Sequence, residues 1–127
     1  MEISIEFTTE AIVPPTIALP DREIGACVEF LGIVREMERG VALQGLHYEA
    51  YESMAVKQLR RIFEELNSAH PCAVVQFIHR LGWVPVGEPS LFIRVLAGHR
   101  GEALRFCAEA IDRMKMDVPI WKRATAP

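Results

Sequence analysis

No apolar run in this chain of 127 residues approaches the roughly 20 needed for a helical bilayer span. The first residues alternate charged and apolar side chains, unlike a signal peptide, so a soluble, cytoplasmic protein is expected. Cysteine is scarce. Cys27, Cys72 and Cys107 are odd in number, form no C-x-x-C pair and have no His at metal-ligand spacing. They are expected to be small core residues in a reducing compartment, with no metal and no cofactor. Basic residues are not in excess either: 14 Lys and Arg against 17 Asp and Glu leave a net charge of -3, which argues against generic nucleic-acid binding. There is no P-loop or G-x-G-x-x-G fingerprint, no compelling Ser-His-Asp or Cys-His order and no carboxylate couple. Repeats and low-complexity tracts are also missing, so one domain over 1–127 is expected.

What remains is an ordinary globular composition, 50% hydrophobic and 24% charged. Residues 2 to 8 alternate Ile3, Ile5 and Phe7 with polar neighbours and predict a half-buried strand. Pro14, Pro15 and Pro20 exclude a helix between Thr9 and Arg22. A strand is predicted from Ile24 to Arg35, a mobile loop from Glu36 to Val41, and a further strand from Ala42 to Tyr51. Ser53 is the expected cap of a helix running to Ala69, with Ala55, Leu59, Ile62, Phe63 and Leu66 on its apolar stripe. Strands are predicted for Ala73–Trp83 and Ser90–Ala97, then a helix from Gly101 to Met116 with Leu104, Ala108 and Ile111 inward, then a short strand after Pro119. This order indicates an α+β fold, two main helices on one face of a mostly antiparallel sheet.

The chemistry concentrates near the end. Arg113, Lys115, Lys122 and Arg123 stand against Asp117 alone, a local charge of +3 in an acidic chain, which suits an anionic small ligand. Pro119 must stop the helix, so Lys115 sits at a helix end and Lys122 just past a turn. A last-turn lysine also suits the helix dipole with no further role. Gly98-His99-Arg100-Gly101 offers free backbone N–H groups, an imidazole and a guanidinium at a helix start, or merely a connector. Arg35 closes a strand before a loop, a position equally suited to a ligand clamp and to a surface charge. His79 and Arg80 could face either way in their strand, and His47, Tyr48, Glu49 and Tyr51 suit packing as well as a polar network.

Taken in order, Gly25-Ala26 leading to Gly32-Ile33-Val34-Arg35, Leu46-His47-Tyr48-Glu49-Ala50-Tyr51, His79-Arg80-Leu81-Gly82, Gly87-Glu88, Ala97-Gly98-His99-Arg100, and Lys115 with Pro119-Ile120-Trp121-Lys122-Arg123 resemble the catalytic, large subunit of molybdopterin synthase. The resemblance implies an α/β hammerhead-type fold, a self-dimer, and a heterotetramer with a small ubiquitin-like sulfur-carrier subunit. It implies that the carrier's C-terminal Gly-Gly thiocarboxylate delivers two sulfurs in turn to cyclic pyranopterin monophosphate, giving the dithiolene of molybdopterin. By motif position Ile33, Val34, Arg35, His99, Arg100 and Arg123 would bind substrate, and Lys115 and Lys122 would both bind substrate and catalyse. Where the family commonly has an acidic residue after its Trp-Lys block, this chain has Ala124. That departure leaves a second expectation open, a binding subunit that engages the carrier without turnover.

Overall fold

Alternation of side chains about a pleated backbone decides most of this architecture, because each strand can turn its apolar residues to a single side. The structure, a computed structural model, describes residues 1–124; residues 125–127, the end of the expected single domain, lie outside the described residues. The order is β1 (Glu2–Thr8), β2 (Ala26–Ile33), β3 (Met37–Glu38), β4 (Val41–Ala42), β5 (Gly45–Ala50), α1 (Glu52–Ala69), β6 (Val74–Arg80), β7 (Gly82–Pro85), β8 (Pro89–Ala97), α2 (Arg100–Asp117) and β9 (Ile120–Arg123). Strands β1-β6-β8-β2 form the main sheet, antiparallel except for the parallel pair β1 and β6. A second sheet, β7-β5-β9, is antiparallel throughout. Among the described residues no helix is long and apolar enough to cross a membrane.

Both helices pack against each other and the main sheet, so the expected α+β layering is met. Phe63 from α1, Phe77 from β6, Ile93 and Val95 from β8 and Phe106 from α2 are fully buried at the interface. Ile3, Ile5 and Phe7 of β1 complete its edge. On the opposite face, Ile12 from the proline-rich segment packs on Ile78 and Phe92. That segment contains no helix, as its prolines require.

Several expectations are corrected by tertiary contacts. The predicted strand Ala73–Trp83 is two strands, because Gly82 takes φ +81° and sends the chain from the main sheet into the second. The predicted loop Glu36–Val41 contains a small hairpin, turned by Arg39 and Gly40 at φ 51° and 78°. Ser53 does not cap α1. Tyr51 occupies that position without a side-chain cap, its N–H donating to the Pro119 carbonyl at 3.1 Å while its own carbonyl accepts from Ala55. In α2 the buried face is Ala103, Phe106, Cys107, Ala110 and Met114, while Leu104 is 54% exposed. Small residues let that helix approach the sheet, and Lys115 lies on the exposed side. Cys72 and Cys107 are buried as expected, but Cys27 is exposed on the outward side of edge strand β2.

Candidate active site

Pro119 ends α2 and sets the geometry of the site. Val118 leaves the helical region at φ -94°, ψ 131°, its N–H donating to the Met114 carbonyl at 3.1 Å. The chain reverses at once into β9, which aligns on β5 with Lys122 opposite Tyr48 and Arg123 opposite His47. Lys115 in the last turn of α2, Lys122 on β9 and Arg35 just beyond β2 thereby line one cavity of about 680 Å³. Ile33 lines it too, with Phe30, Leu91 and Trp121 among its apolar walls. A volume of this size suits a small organic ligand, and three cations on apolar walls suit an anionic one.

Other candidate residues lie elsewhere. Val34 is 3% exposed and packs with Leu46 and Val84, held between the Gly87 N–H and the Glu88 carbonyl. Arg123 follows Lys122 on a strand and so faces the opposite way, where it pairs with Glu49. His99 caps the far end of α2 and Arg100 begins it. At roughly 1.5 Å per residue, these two lie about 24 Å along the helix from Lys115. One copy of the chain does not bring the His-Arg turn and the lysines together.

Tyr48 and His79, which the sequence leaves without a site role, also line the cavity. Their rings meet edge to face at 5.0 Å. The signal for His79 was present: it continues the inward alternation of Val75 and Phe77, and it is 4% exposed. Burial pushes its imidazole below the ordinary value, a hydrogen bond to the Arg80 carbonyl opposing this in part. Arg80 points away and donates to Glu88 at 2.6 Å.

Lys122 is not a free cation. Its Nζ lies 2.6 Å from Oε1 of Glu38, on the small hairpin, and the hydrogen bond to Lys122 holds the Glu38 carboxyl below its ordinary value near 4.5, with Arg35 and Arg39 contributing. A depressed carboxylate stabilises the fold above its ordinary pKa and loses that contribution as pH falls through the lowered value, so this latch opens only in acid. The pair is half exposed and its strength is screened. Glu38→Gln is therefore expected to tighten binding of inorganic pyrophosphate by about two- to fivefold, read by calorimetry at low salt. Unchanged affinity would mean that Glu38 does not compete for Lys122.

Comparison with known proteins identifies the family and the fold. The family model described as MoaE protein matches residues 4–117. A molybdopterin synthase catalytic subunit from Drosophila mojavensis is 44% identical over 104 residues, which cover 81% of this chain and 28% of that protein. The chain spans about half the length of its Oryza sativa relatives. The crystal structure of molybdopterin synthase from Staphylococcus aureus superimposes with a TM-score of 0.85 at 36% identity, covering 95% of this chain and 90% of that one. A complex of subunits 1 and 2 of molybdopterin-converting factor from Helicobacter pylori gives a TM-score of 0.67 at 28% identity, over 79% of this chain and 65% of that one. With a family model spanning most of its length and a fold shared with the S. aureus protein, this chain belongs to the MoaE protein family.

Proposed function

We propose that this chain is the catalytic subunit of a molybdopterin synthase, a sulfurtransferase that builds the dithiolene of molybdopterin on cyclic pyranopterin monophosphate. The sulfur comes from the C-terminal thiocarboxylate of a small ubiquitin-like carrier, a partner in keeping with the two-subunit complex of the H. pylori relative. One observation carries the reading: Lys115 and Lys122, from separate elements, share a cavity with Arg35, and among the described residues no carboxylate belongs to its lining. A cyclic phosphate and a thiocarboxylate repel each other, and a cationic, largely apolar chamber makes their encounter favourable. Lys115 donates to the oxyanion that forms when the carrier's acyl carbon is attacked, and Lys122 holds the substrate. Arg35 and the neighbouring Ile33 position the pterin phosphate. Incubation with thiocarboxylated carrier and precursor tests this directly. Dithiolene product supports the enzyme, whereas carrier binding without product would favour the non-catalytic subunit that Ala124 suggests.

His99 and Arg100 enter this reading only through a second copy. Their separation from Lys115 along α2 leads us to assign them to the cavity of the partner in a self-dimer, itself paired with two carriers as a heterotetramer. Lys115→Ala and Arg100→Ala are each expected to be inactive alone. Dissociated and reassembled together, they should recover about a quarter of the wild-type rate, because each mixed dimer contains one intact site. No recovery, with reassembled wild type active, would remove Arg100 from the partner's site. Val34 and Arg123 act indirectly, Val34 by seating the strand end that presents Arg35 and Arg123 by pairing β9 with β5 through Glu49.

A further inference from the structure

Sulfur leaves the carrier as thiocarboxylate sulfur, and the carrier returns as a carboxylate, so one oxygen must come from water. Some group has to take that water's proton. Lysine and arginine are cations at neutral pH and hydroxyls are poor bases, which disqualifies Lys115, Lys122, Arg35, Ser90 and Tyr48 in their ordinary states. Glu38 touches Lys122 from outside the lining, but its ion pair makes it a weak base. His79 remains.

Its geometry suits the task. Nδ1 lies 2.8 Å from the Arg80 carbonyl oxygen, which can only accept, so the proton sits on Nδ1 and Nε2 keeps its lone pair. Among the described residues Nε2 has no hydrogen-bond partner, and it is not among the atoms sealed from solvent. Tyr48 at 5.0 Å, Phe77 at 6.3 Å and Phe7 at 6.4 Å clamp the ring. The charged and titratable groups around it are Lys115 from α2, Lys122 from β9, Arg35 beyond β2, Tyr48 from β5, and the Arg80–Glu88 pair beside it; β1 and β8 offer only Phe7, Leu91 and Ser90. Burial disfavours an imidazolium, and the hydrogen bond to the Arg80 carbonyl opposes it in part.

We infer that His79 is a catalytic general base, activating the water that cleaves the acyl–sulfur bond between carrier and pterin. This step rests on the sulfurtransferase reading above. Nε2 accepts one proton from water as the oxygen bonds to the acyl carbon. The carbon–sulfur bond then breaks with its electron pair going to sulfur, which stays on the pterin as a thiolate. The carrier departs as a carboxylate, losing the second proton of the water to solvent, and His79 returns its own proton to solvent through the open cavity mouth.

The test uses the complete system of wild-type carrier, precursor and this chain, with His79→Asn and His79→Gln. Asparagine retains a donor for the Arg80 carbonyl while deleting Nε2; glutamine places a non-basic amide near Nε2. In single-turnover reactions quenched for mass spectrometry, carrier release should slow about 100-fold and the acyl-linked carrier–pterin adduct should accumulate, while formation of that adduct keeps its wild-type rate. Release within about threefold of wild type, or slow release without adduct, overturns the assignment. Should either variant fail to fold, the wild-type pH profile decides: release must fall on the acid side, below the ordinary histidine value, as His79 is protonated, and a rate still flat at the lowest pH the fold survives overturns it. If wild type makes no dithiolene product at all, the sulfurtransferase reading fails and takes this inference with it.

Discussion

Lys115→Ala is expected to lower dithiolene formation by about a thousandfold, the loss that follows removal of one preorganised donor to an oxyanion. The fold should hardly notice. Lys115 is exposed in the last turn of α2 and, among the described residues, makes no hydrogen bond or ion pair with another side chain. Its favourable interaction with the helix C-terminus is worth about 0.3–1 kcal/mol, and the better helix propensity of alanine offsets part of that. Carrier binding should change far less than turnover, because the ammonium matters most once negative charge develops on the acyl oxygen. Anaerobic assay of product, beside thermal melts and calorimetry with the carrier, separates these effects. Near wild-type turnover in a well-folded variant would exclude Lys115 from the chemistry.

Phe77→Ala should be the most costly single truncation in the core, at about 3–5 kcal/mol. Phe77 is fully buried on β6, with ring centroids 6.1 Å from Phe7, 6.2 Å from Phe63 and 6.3 Å from His79. These neighbours come from β1, α1 and β6 itself, so no one element can move in to fill the space. Set against a usual domain stability of about 5–15 kcal/mol, the loss is a third or more in many cases. Urea unfolding followed by circular dichroism checks it, and a cost below about 1 kcal/mol would show that the core collapses around the gap. Because His79 leans on the same ring, turnover should fall at temperatures where the variant is still folded.

The residues that determined their own structure did so through short-range rules. Ile3, Ile5 and Phe7 face inward because a strand alternates, and Ala55, Leu59, Ile62, Phe63 and Leu66 share the buried stripe of α1 because a helix repeats every 3.6 residues. Pro119 stops α2, as a residue without an N–H does in a helix, and β9 starts directly after it. The errors lie where two elements compete. Leu104 is more hydrophobic than Ala103 or Ala110, yet the small residues face the sheet because close approach of helix to strand outweighs the transfer of one leucine. Ser53 lost its capping position to Tyr51, whose backbone is fixed from outside the helix by Pro119.

The sequence by itself determined the layers, the two helices, the end of α2 and the run of cations that follows, since periodicity, proline and local charge act over a few residues. Only the tertiary structure decided which of those cations share a space. Pairing of β9 with β5 turned Lys122 toward Lys115 and Arg123 away, the length of α2 set His99 and Arg100 at a distance, and the inward face of β6 brought in His79. Strand register and helix length join residues far apart along the chain, and a local pattern has no term for that separation.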